Sequence, residues 1–521
     1  MQRLGEAAVG AACGGSDEGG GLVFPWGGAV EEGPGWRIED GAGGVWELGE
    51  NGGVPEGLCG EIRRATLIAH GVRPCLRQLL GRAGVVPMEV VCTEGAAGLL
   101  AAGGSDALDL EAVSGRYSKG RLKGGTEPDG PVPGGAARLL RVEGGLRRAI
   151  LAAGLGRVFE LEMSVLPILA GCDVCGVPVD PCRLAVLRDG FLREAGESVF
   201  RLGGLLRAPT LDPENSAQLE RMLARAGIRV RSASDAALLQ ANEGKVIPEI
   251  FVFRRKSALA RLCRELLESG RCGAGGEFRI PGGGFQAAGS EALEELLCGE
   301  LAGGLKVPAG RRLVVQSTRG ARFELAARCS PESGGEDDPA REAAAWIFQR
   351  PPGGVGPEEL RVGQIVIDGL TLGMGADTMA GEVLRSGLRL PGDPQATRQS
   401  FFLRHAEIAR WHEACQRQAR ERLAEARTAL GRRVLFSAGA NTWQRFSGLV
   451  ATTLCGGSED AVKSAAVRLS VELAGTARLV GVTEHALCVE CGEGELEAVR
   501  STVKNTWCVA LRAQRAQRAE G

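Results

Sequence analysis

Residues 311–333 combine the features of a site for chemistry: a strand that ends in polar side chains and leads into a helix. The apolar run at 313–315 favours a strand, a polar turn follows it, and the apolar residues at 323–326 indicate a helix. Residues 311–323 contain no aspartate or glutamate. This strand end therefore offers hydroxyl and amide groups, but no carboxylate that could hold a metal ion.

Two pairs of cysteines have the spacing of zinc ligands, Cys172 with Cys175 and Cys488 with Cys491. The first pair falls within a predicted helix and the second at the end of a predicted strand. We interpret all four as small buried hydrophobic residues, because cysteine is often used in that way. A shared metal site is the alternative.

The composition of the 521-residue chain limits the classes of protein that it can belong to. The 62 basic and 64 acidic residues leave a net charge of −2, which argues against a protein that coats nucleic acid by bulk charge but allows a local basic cleft. The 16 cysteines lack the regular spacing of a secreted disulfide framework. No apolar run reaches the ~18 residues of a membrane span, and the N-terminus is a poor signal peptide. We therefore expect a cytoplasmic protein without membrane contact.

Several segments resemble, in order and in spacing, the motifs of family A DNA polymerases, the bacterial DNA polymerase I group. The most specific run begins with LEMSVLPILAGCDVCGVPVDPCRLAVL (161–187), which is similar to the entry into the thumb of that family. The other segments are NSAQLERML (215–223), RSASDAALL (231–239), IFVFRRKSALARL (250–262), LRVGQIVIDGLTLGMG (360–375), LGRRV (430–434), TLCGGSEDAVKSAAVRL (453–469) and LVGVTEHALCVEC (479–491).

The resemblance implies an α+β fold, a right-hand polymerase of palm, thumb and fingers preceded by a ribonuclease-H-like 3′–5′ exonuclease domain. Cys75 and Cys92 stand where that exonuclease domain has catalytic aspartates, so the domain is expected to lack its catalytic acids. Residues 401–429 are predicted to form one long helix. The implied domains are an exonuclease-like domain at 1–155, the thumb and the start of the palm at 156–310, the first palm motif at 311–335, the fingers at 336–444 and the last palm motif at 445–521.

Members of this family hold two divalent ions with carboxylates from neighbouring strands, and the resemblance locates the two positions. Ser317 stands at the first aspartate and Glu484 at the second. Glu484 would be a residual metal ligand, and a solvated hairpin glutamate is the alternative. In the nucleotide-binding helix, Arg361 keeps the family's arginine, Gln364 replaces the lysine that grips the phosphates and Leu372 replaces the tyrosine that screens the sugar.

The resemblance also implies a set of contacts to the phosphates of DNA. Exposed charge that keeps the protein in solution is the alternative interpretation of most of these residues. The implied contacts are Arg254, Lys256, Gln286, Arg432, Arg433 and Lys463.

Two functions follow from the resemblance. The first is a catalytically impaired relative of DNA polymerase I that keeps a cleft for primer–template DNA and acts as a DNA-binding or scaffold subunit, with no cofactor. The second is an active DNA-directed DNA polymerase of low efficiency and without proofreading, working in replication or repair with Mg²⁺ and deoxynucleoside triphosphates. The substitutions at Ser317, Gln364, Leu372, Thr483 and Glu484 favour the first. A gene product without a retained role is a third alternative.

Overall fold

A computed structural model of the protein describes residues 27–32, 35–40, 45–48 and 56–516, except 103, 105–106, 118–134, 242–243, 273–276, 285–289, 328–337 and 422. The strands are β1 Gly27–Glu32, β2 Gly35–Asp40, β3 Val45–Leu48, β4 Thr66–Ala69, β5 Glu89–Cys92, β6 Val177–Pro178, β7 Arg271–Cys272, β8 Phe278–Ile280, β9 Arg311–Ser317, β10 Glu425–Arg427, β11 Arg433–Leu435, β12 Ala477–Val482 and β13 Ala486–Gly492. The helices are α1 Glu56–Ile62, α2 Arg73–Ala83, α3 Thr93–Ala101, α4 Leu110–Tyr117, α5 Gly135–Ala152, α6 Gly156–Cys175, α7 Pro181–Leu205, α8 Ser216–Arg225, α9 Asp235–Gln240, α10 Val246–Ser269, α11 Ser290–Cys298, α12 Ala321–Ala327, α13 Pro339–Ile347, α14 Pro357–Thr371, α15 Ala376–Arg385, α16 Pro394–Arg404, α17 Ala406–Arg420, α18 Thr442–Ala451, α19 Gly457–Glu472 and α20 Leu496–Ala516.

The N-terminal part of the chain is an α/β unit built on a five-stranded sheet in the order β3-β2-β1-β4-β5. Strands β1, β4 and β5 run parallel, whereas β2 and β3 run antiparallel to their neighbours. All four residues of β4 are buried, as expected for a short apolar strand between helices. Helix α6 leaves this unit, and the Arg73–Asp173 ion pair (Nε to Oδ2, 2.8 Å) fixes α6 against α2.

A three-stranded antiparallel sheet in the order β12-β13-β9 forms the centre of the molecule. Side chains alternate between its two faces, because successive residues of a strand point in opposite directions. Val314 and Val489 pack on one face with residues of α19 and α20, whereas Cys488 lies on the other face with Leu293 and residues of α7 and α10. The sheet is therefore covered on both sides.

Two long helices, α7 and α10, pack along each other beside this sheet, and α8 and α9 form a small cluster at their far end. Side chains at the N-termini define where these helices begin. Asp180, Asn215 and Ser234 each accept a hydrogen bond from a backbone N–H in the first turn of the helix that follows.

Helices α12 to α18 form a helical region over one end of the central sheet. Gly363 allows α13 and α14 to pack closely, since a Cβ at this position would lie 2.1 Å from the Ala340 carbonyl oxygen.

The prediction of one helix over 401–429 is wrong. His405 leaves helical geometry at φ −121° and ψ 59°, and residues 425–427 form a strand that pairs with 433–435. Among the described residues no helix is long and apolar enough to cross a membrane.

A buried carboxylate joins three strands of this architecture. Glu490 on β13 is 1% exposed, and its oxygens lie 2.8 Å from Arg279 on β8, 3.1 Å from Arg311 on β9 and 2.9 Å from Arg478 on β12. Burial of a carboxylate is unfavourable unless cations offset it. These arginines do so, and they connect the small β6-β8-β7 sheet to the central sheet.

We expect Glu490→Gln to destabilise the protein by about 3 kcal/mol, because three guanidinium groups would converge on a neutral amide. Glu493→Gln is the matched control, since Glu493 lies close by in sequence and pairs with Arg312 at the surface. Chemical denaturation of both variants tests the expectation. Equal stabilities of the two variants would contradict it.

Candidate active site

The pairing of β9 with β13 brings the two predicted catalytic positions together. Ser317 at the end of β9 lies opposite Ala486 at the start of β13. Beyond the strands, the backbone N–H of Thr318 donates to the carbonyl of His485 at 2.9 Å, and its hydroxyl donates to the carbonyl of Glu484 at 3.1 Å. The turn that carries Glu484 is therefore attached directly to the end of β9.

The side chains at this junction supply one carboxylate and one hydroxyl. The Glu484 side chain is 51% exposed, and its Oε2 lies 4.0 Å from Nη2 of Arg322 on α12. Ser317 is exposed, and its hydroxyl accepts a hydrogen bond from the backbone N–H of Arg319 at 3.4 Å. The carboxylate of Glu484 thus has a cation of the protein itself at ion-pair distance.

A second carboxylate, Glu294 on α11, faces the same junction and was not identified from the sequence. Burial raises the pKa of Glu294 to about 7, and the negative charge of Glu484 adds to the shift, although Arg319 and Arg322 oppose it. The segment SEALEELL gives no sign of this role, because its pattern is that of an ordinary amphipathic helix. The tertiary structure alone brings Glu294 to Glu484.

Arg319 and Arg322 give the junction a positive potential. Burial together with the charges of these two arginines lowers the pKa of His485 to about 3, so its imidazole is neutral at physiological pH. Burial raises the pKa of the Asp368 carboxyl on α14, and the positive charge of Arg322 opposes this shift. Two guanidinium groups therefore lie where the carboxylates of the site converge.

The residues at the junction do not fit a pair of divalent ions. Such a pair needs charged carboxylates from both strands, but β9 ends in Ser317, and Glu294 is partly protonated at neutral pH. In the described part of the chain, no three His, Cys, Asp or Glu side chains are grouped so that they could hold a metal ion. Cys172, Cys488 and Cys491 are buried and Cys175 is partly buried, as expected of small core residues, and burial raises the pKa of the Cys172 and Cys488 thiols.

Helix α14 carries the predicted nucleotide-binding residues into a cleft of about 650 Å³, which we call the central cleft. Ser317, Arg361 and Gln364 line it. Gln364 donates from Nε2 to Oδ2 of Asp368 at 2.9 Å, so the amide that replaces the predicted lysine is bound within its own helix. Leu372 lies just beyond the end of α14 and packs against the hydrophobic core.

The predicted phosphate contacts that the structure describes all have acidic partners. Nζ of Lys463 lies 2.6 Å from Glu162 and is 3% exposed, and Arg432 pairs with the buried Asp460 at 2.7 Å. Exposed solubilising charge is therefore the wrong interpretation of Lys463 and Arg432. DNA contact by these residues stays a prediction. The remaining pairs are Arg254 with Asp235, Lys256 with Glu194 at 2.9 Å and Arg433 with Glu425 at 3.8 Å, while Gln286 lies outside the described residues.

The raised pKa of Glu294 predicts a pH dependence of stability. A carboxyl whose folded pKa lies above its ordinary value of 4.5 stabilises the fold when protonated, and this contribution is lost as the pH rises through about 7. We expect the free energy of unfolding to fall by about 1 kcal/mol between about pH 6 and pH 8, since water still reaches part of the side chain.

Glu294→Gln should remove most of this dependence, and Glu291→Gln, an exposed neighbour on α11, should keep it. Denaturation curves for the wild type and both variants at the two pH values check the expectation. A slope that persists unchanged in Glu294→Gln would show that another group titrates.

Comparison with known proteins gives a match of structure but not of sequence. No family model matches the chain, and no curated protein is detectably similar to it in sequence. Among solved structures, the POL domain of Pol1 from M. smegmatis, in complex with DNA primer-template and dNTP, matches with a TM-score of 0.66. The match covers 94% of this chain and 93% of that chain, with 16% identical residues. The order of the sequence motifs predicted this likeness, and the structure confirms it: the chain has the fold of the polymerase domain of a DNA polymerase I.

Proposed function

We propose that this protein is a catalytically impaired relative of DNA polymerase I that binds primer–template DNA and serves as a DNA-binding or scaffold subunit. The observation that carries the proposal is the junction of β9 and β13. It has the backbone arrangement expected of a polymerase palm, yet it presents Ser317, with Glu484 facing Arg322. The DNA and dNTP in the matching Pol1 structure support the choice of ligand.

The expected loss of rate follows from the missing charges. If a lost carboxylate removes about 4 kcal/mol of metal-borne stabilisation of the transition state, the rate falls ~10³-fold. Gln364 adds to this loss, because a neutral amide bound to Asp368 does not offset charge that develops on a phosphate.

The proposed domain organisation keeps the sequence-based bounds, with residues 1–155 as an exonuclease-like domain without its chemistry. Cys75 and Cys92, at the predicted positions of catalytic aspartates, are both buried, and burial raises the pKa of Cys75 to about 12. Thiols in this state are neutral and do not attract divalent ions. We assign 156–310 to the thumb and the start of the palm, 311–335 and 445–521 to the palm motifs and 336–444 to the fingers.

An active, low-efficiency DNA-directed DNA polymerase is the second candidate. The observation that favours it is the exposure of Glu484 beside the central cleft, where its carboxylate is accessible to a Mg²⁺ ion brought in with a nucleotide. Glu294 would supply a second carboxylate above its pKa of about 7. This candidate predicts activity that rises with pH.

Primer extension with Mg²⁺ and then with Mn²⁺ separates the two candidates. We expect no incorporation of nucleotides by highly purified, folded protein, because a single weakly held carboxylate does not assemble a two-ion site. Incorporation that disappears in Glu484→Gln would show that the junction still works as an active site and would overturn the proposal. Incorporation that is unchanged in Glu484→Gln would indicate a contaminating polymerase.

Binding of primer–template DNA should weaken steeply with salt, because phosphate contacts release counterions. Arg254→Gln should lower the affinity and reduce the slope of log K against log salt by about 1 if Arg254 contacts a phosphate. Arg500→Gln is the matched control, since Arg500 is an exposed arginine at the surface of α20. Fluorescence anisotropy measures all three proteins, and no binding by the wild type at low salt would refute a DNA-binding role.

A further inference from the structure

Helix α7 has two apolar faces, and only one of them is covered. Leu184, Phe191 and Leu202 are buried and pack with residues of α10. On the opposite side of the helix, Val186 is 72% exposed and Phe200 is 83% exposed. Within the described residues, neither of these two side chains belongs to a hydrophobic cluster. The second face is therefore a candidate for contact with another molecule.

The exposed residues of this face are arranged symmetrically about Arg193. Val186 and Phe200 lie seven positions before and after Arg193, and the acidic residues Asp189 and Glu197 lie four positions before and after it. All five residues are exposed, and steps of four and seven residues return to nearly the same side of an α-helix. We call these five residues the α7 stripe. Its apolar, acidic and basic groups follow the same order from either end.

The symmetry of the α7 stripe makes it complementary to a second copy of itself. A two-fold axis requires one surface patch to fit its own copy, so that each contact occurs twice. An antiparallel pair of α7 helices with its axis at Arg193 would place Val186 of each copy against Phe200 of the other. The same axis would bring Arg193 of each copy within reach of Glu197 of the other, because the two residues lie about 6 Å apart along the helix axis.

The charges at the centre of the α7 stripe have few partners within one copy. Arg193 is exposed, and within the described residues no carboxylate lies at ion-pair distance from it. The Glu197 side chain is 58% exposed and lies 3.9 Å from Arg201, which is held by Glu249 at 2.7 Å. Arg193 and Glu197 can therefore pair between two copies without the loss of a close ion pair within either copy.

Two glycines beside the α7 stripe follow the same symmetry. Gly190 and Gly196 lie three positions before and after Arg193. A Cβ added at either position would meet no neighbouring atom of the described structure within 4 Å, so packing within the chain does not require glycine there. Glycine lowers the stability of a helix relative to alanine. Between two helices, however, the missing side chains allow a shorter distance between the helix axes.

We propose that α7 is the contact of a homodimer, in which the α7 stripes of two copies of this chain pack antiparallel about a two-fold axis at Arg193. Val186 then packs on Phe200, and Arg193 pairs with Glu197, each contact occurring twice. One helix face is a small interface, so the dimer dissociates with a Kd on the order of 10 µM. No residue of the α7 stripe lines the central cleft, and the inference does not rest on the proposed function.

Sedimentation equilibrium of the full chain at concentrations from about 1 to about 100 µM tests the proposal, because the wild type should pass from monomer to dimer over this range. Phe200→Glu should raise the Kd of the dimer at least about tenfold, since association would bury an unpaired charge. Leu403→Glu is the matched control, because Leu403 on α16 is also 83% exposed and lies outside the α7 stripe. Leu403→Glu should associate as the wild type does.

An exchange of charge tests the pairing of Arg193 with Glu197. Arg193→Glu and Glu197→Arg should each associate at least about tenfold more weakly when alone, because each variant places like charges opposite one another in its own dimer. An equimolar mixture of the two variants should associate again, since both pairs in the mixed dimer join opposite charges. Thermal melting of each variant verifies that it is folded.

Several results would overturn the proposal. Wild-type protein that stays monomeric throughout the concentration range would do so, as would equal association of Phe200→Glu and Leu403→Glu or a charge-exchange mixture that stays monomeric. Anisotropy with primer–template DNA on the same preparations separates a second ligand of this face. Weaker DNA binding by Phe200→Glu with unchanged association would assign the face to DNA and would refute the dimer.

Discussion

The antiparallel register between β9 and β13 is the constraint on which the site depends. It places Ser317 opposite Ala486, and the two hydrogen bonds of Thr318 to the carbonyls of Glu484 and His485 fix the turn beyond it. A slip of one residue would move every side chain of β13 to the other face of the sheet. The buried ion cluster of Glu490 then resists such a slip, because its three arginines come from β8, β9 and β12.

The sequence predicted the fold because the fold depends on framework residues with local signals. Helix boundaries such as Asn215 and Ser234 and the apolar pattern of β9 are visible in the sequence. The residues that set the charge of the site have partners far away along the chain, which no local pattern reveals. Lys463 pairs with Glu162, 301 positions away, and Arg361 pairs with Glu295, 66 positions away.

Two errors illustrate the same limit. The charged stretch 401–429 has a composition that suits a helix, but pairing of residues 425–427 with 433–435 competes with helix formation and prevails. Glu294 is an ordinary helical glutamate in sequence and gains its raised pKa only from burial beside Glu484. Local preference therefore predicts elements, whereas tertiary contacts decide their ends and their electrostatics.

The stability of the fold depends little on which side chains stand at the junction of β9 and β13. Ser317 and Glu484 lie exposed at strand ends, so substitutions there remove little buried area and cost little stability. The core, by contrast, is built from residues such as Val314, Val489 and Leu487, which lie within the same strands. Around the cleft, Arg255 and Arg361 are neutralised by Glu295 and Glu300, and this pairing offsets their mutual repulsion. The cations of the cleft are thus balanced by carboxylates of the protein itself, and these ion pairs connect α10, α11 and α14.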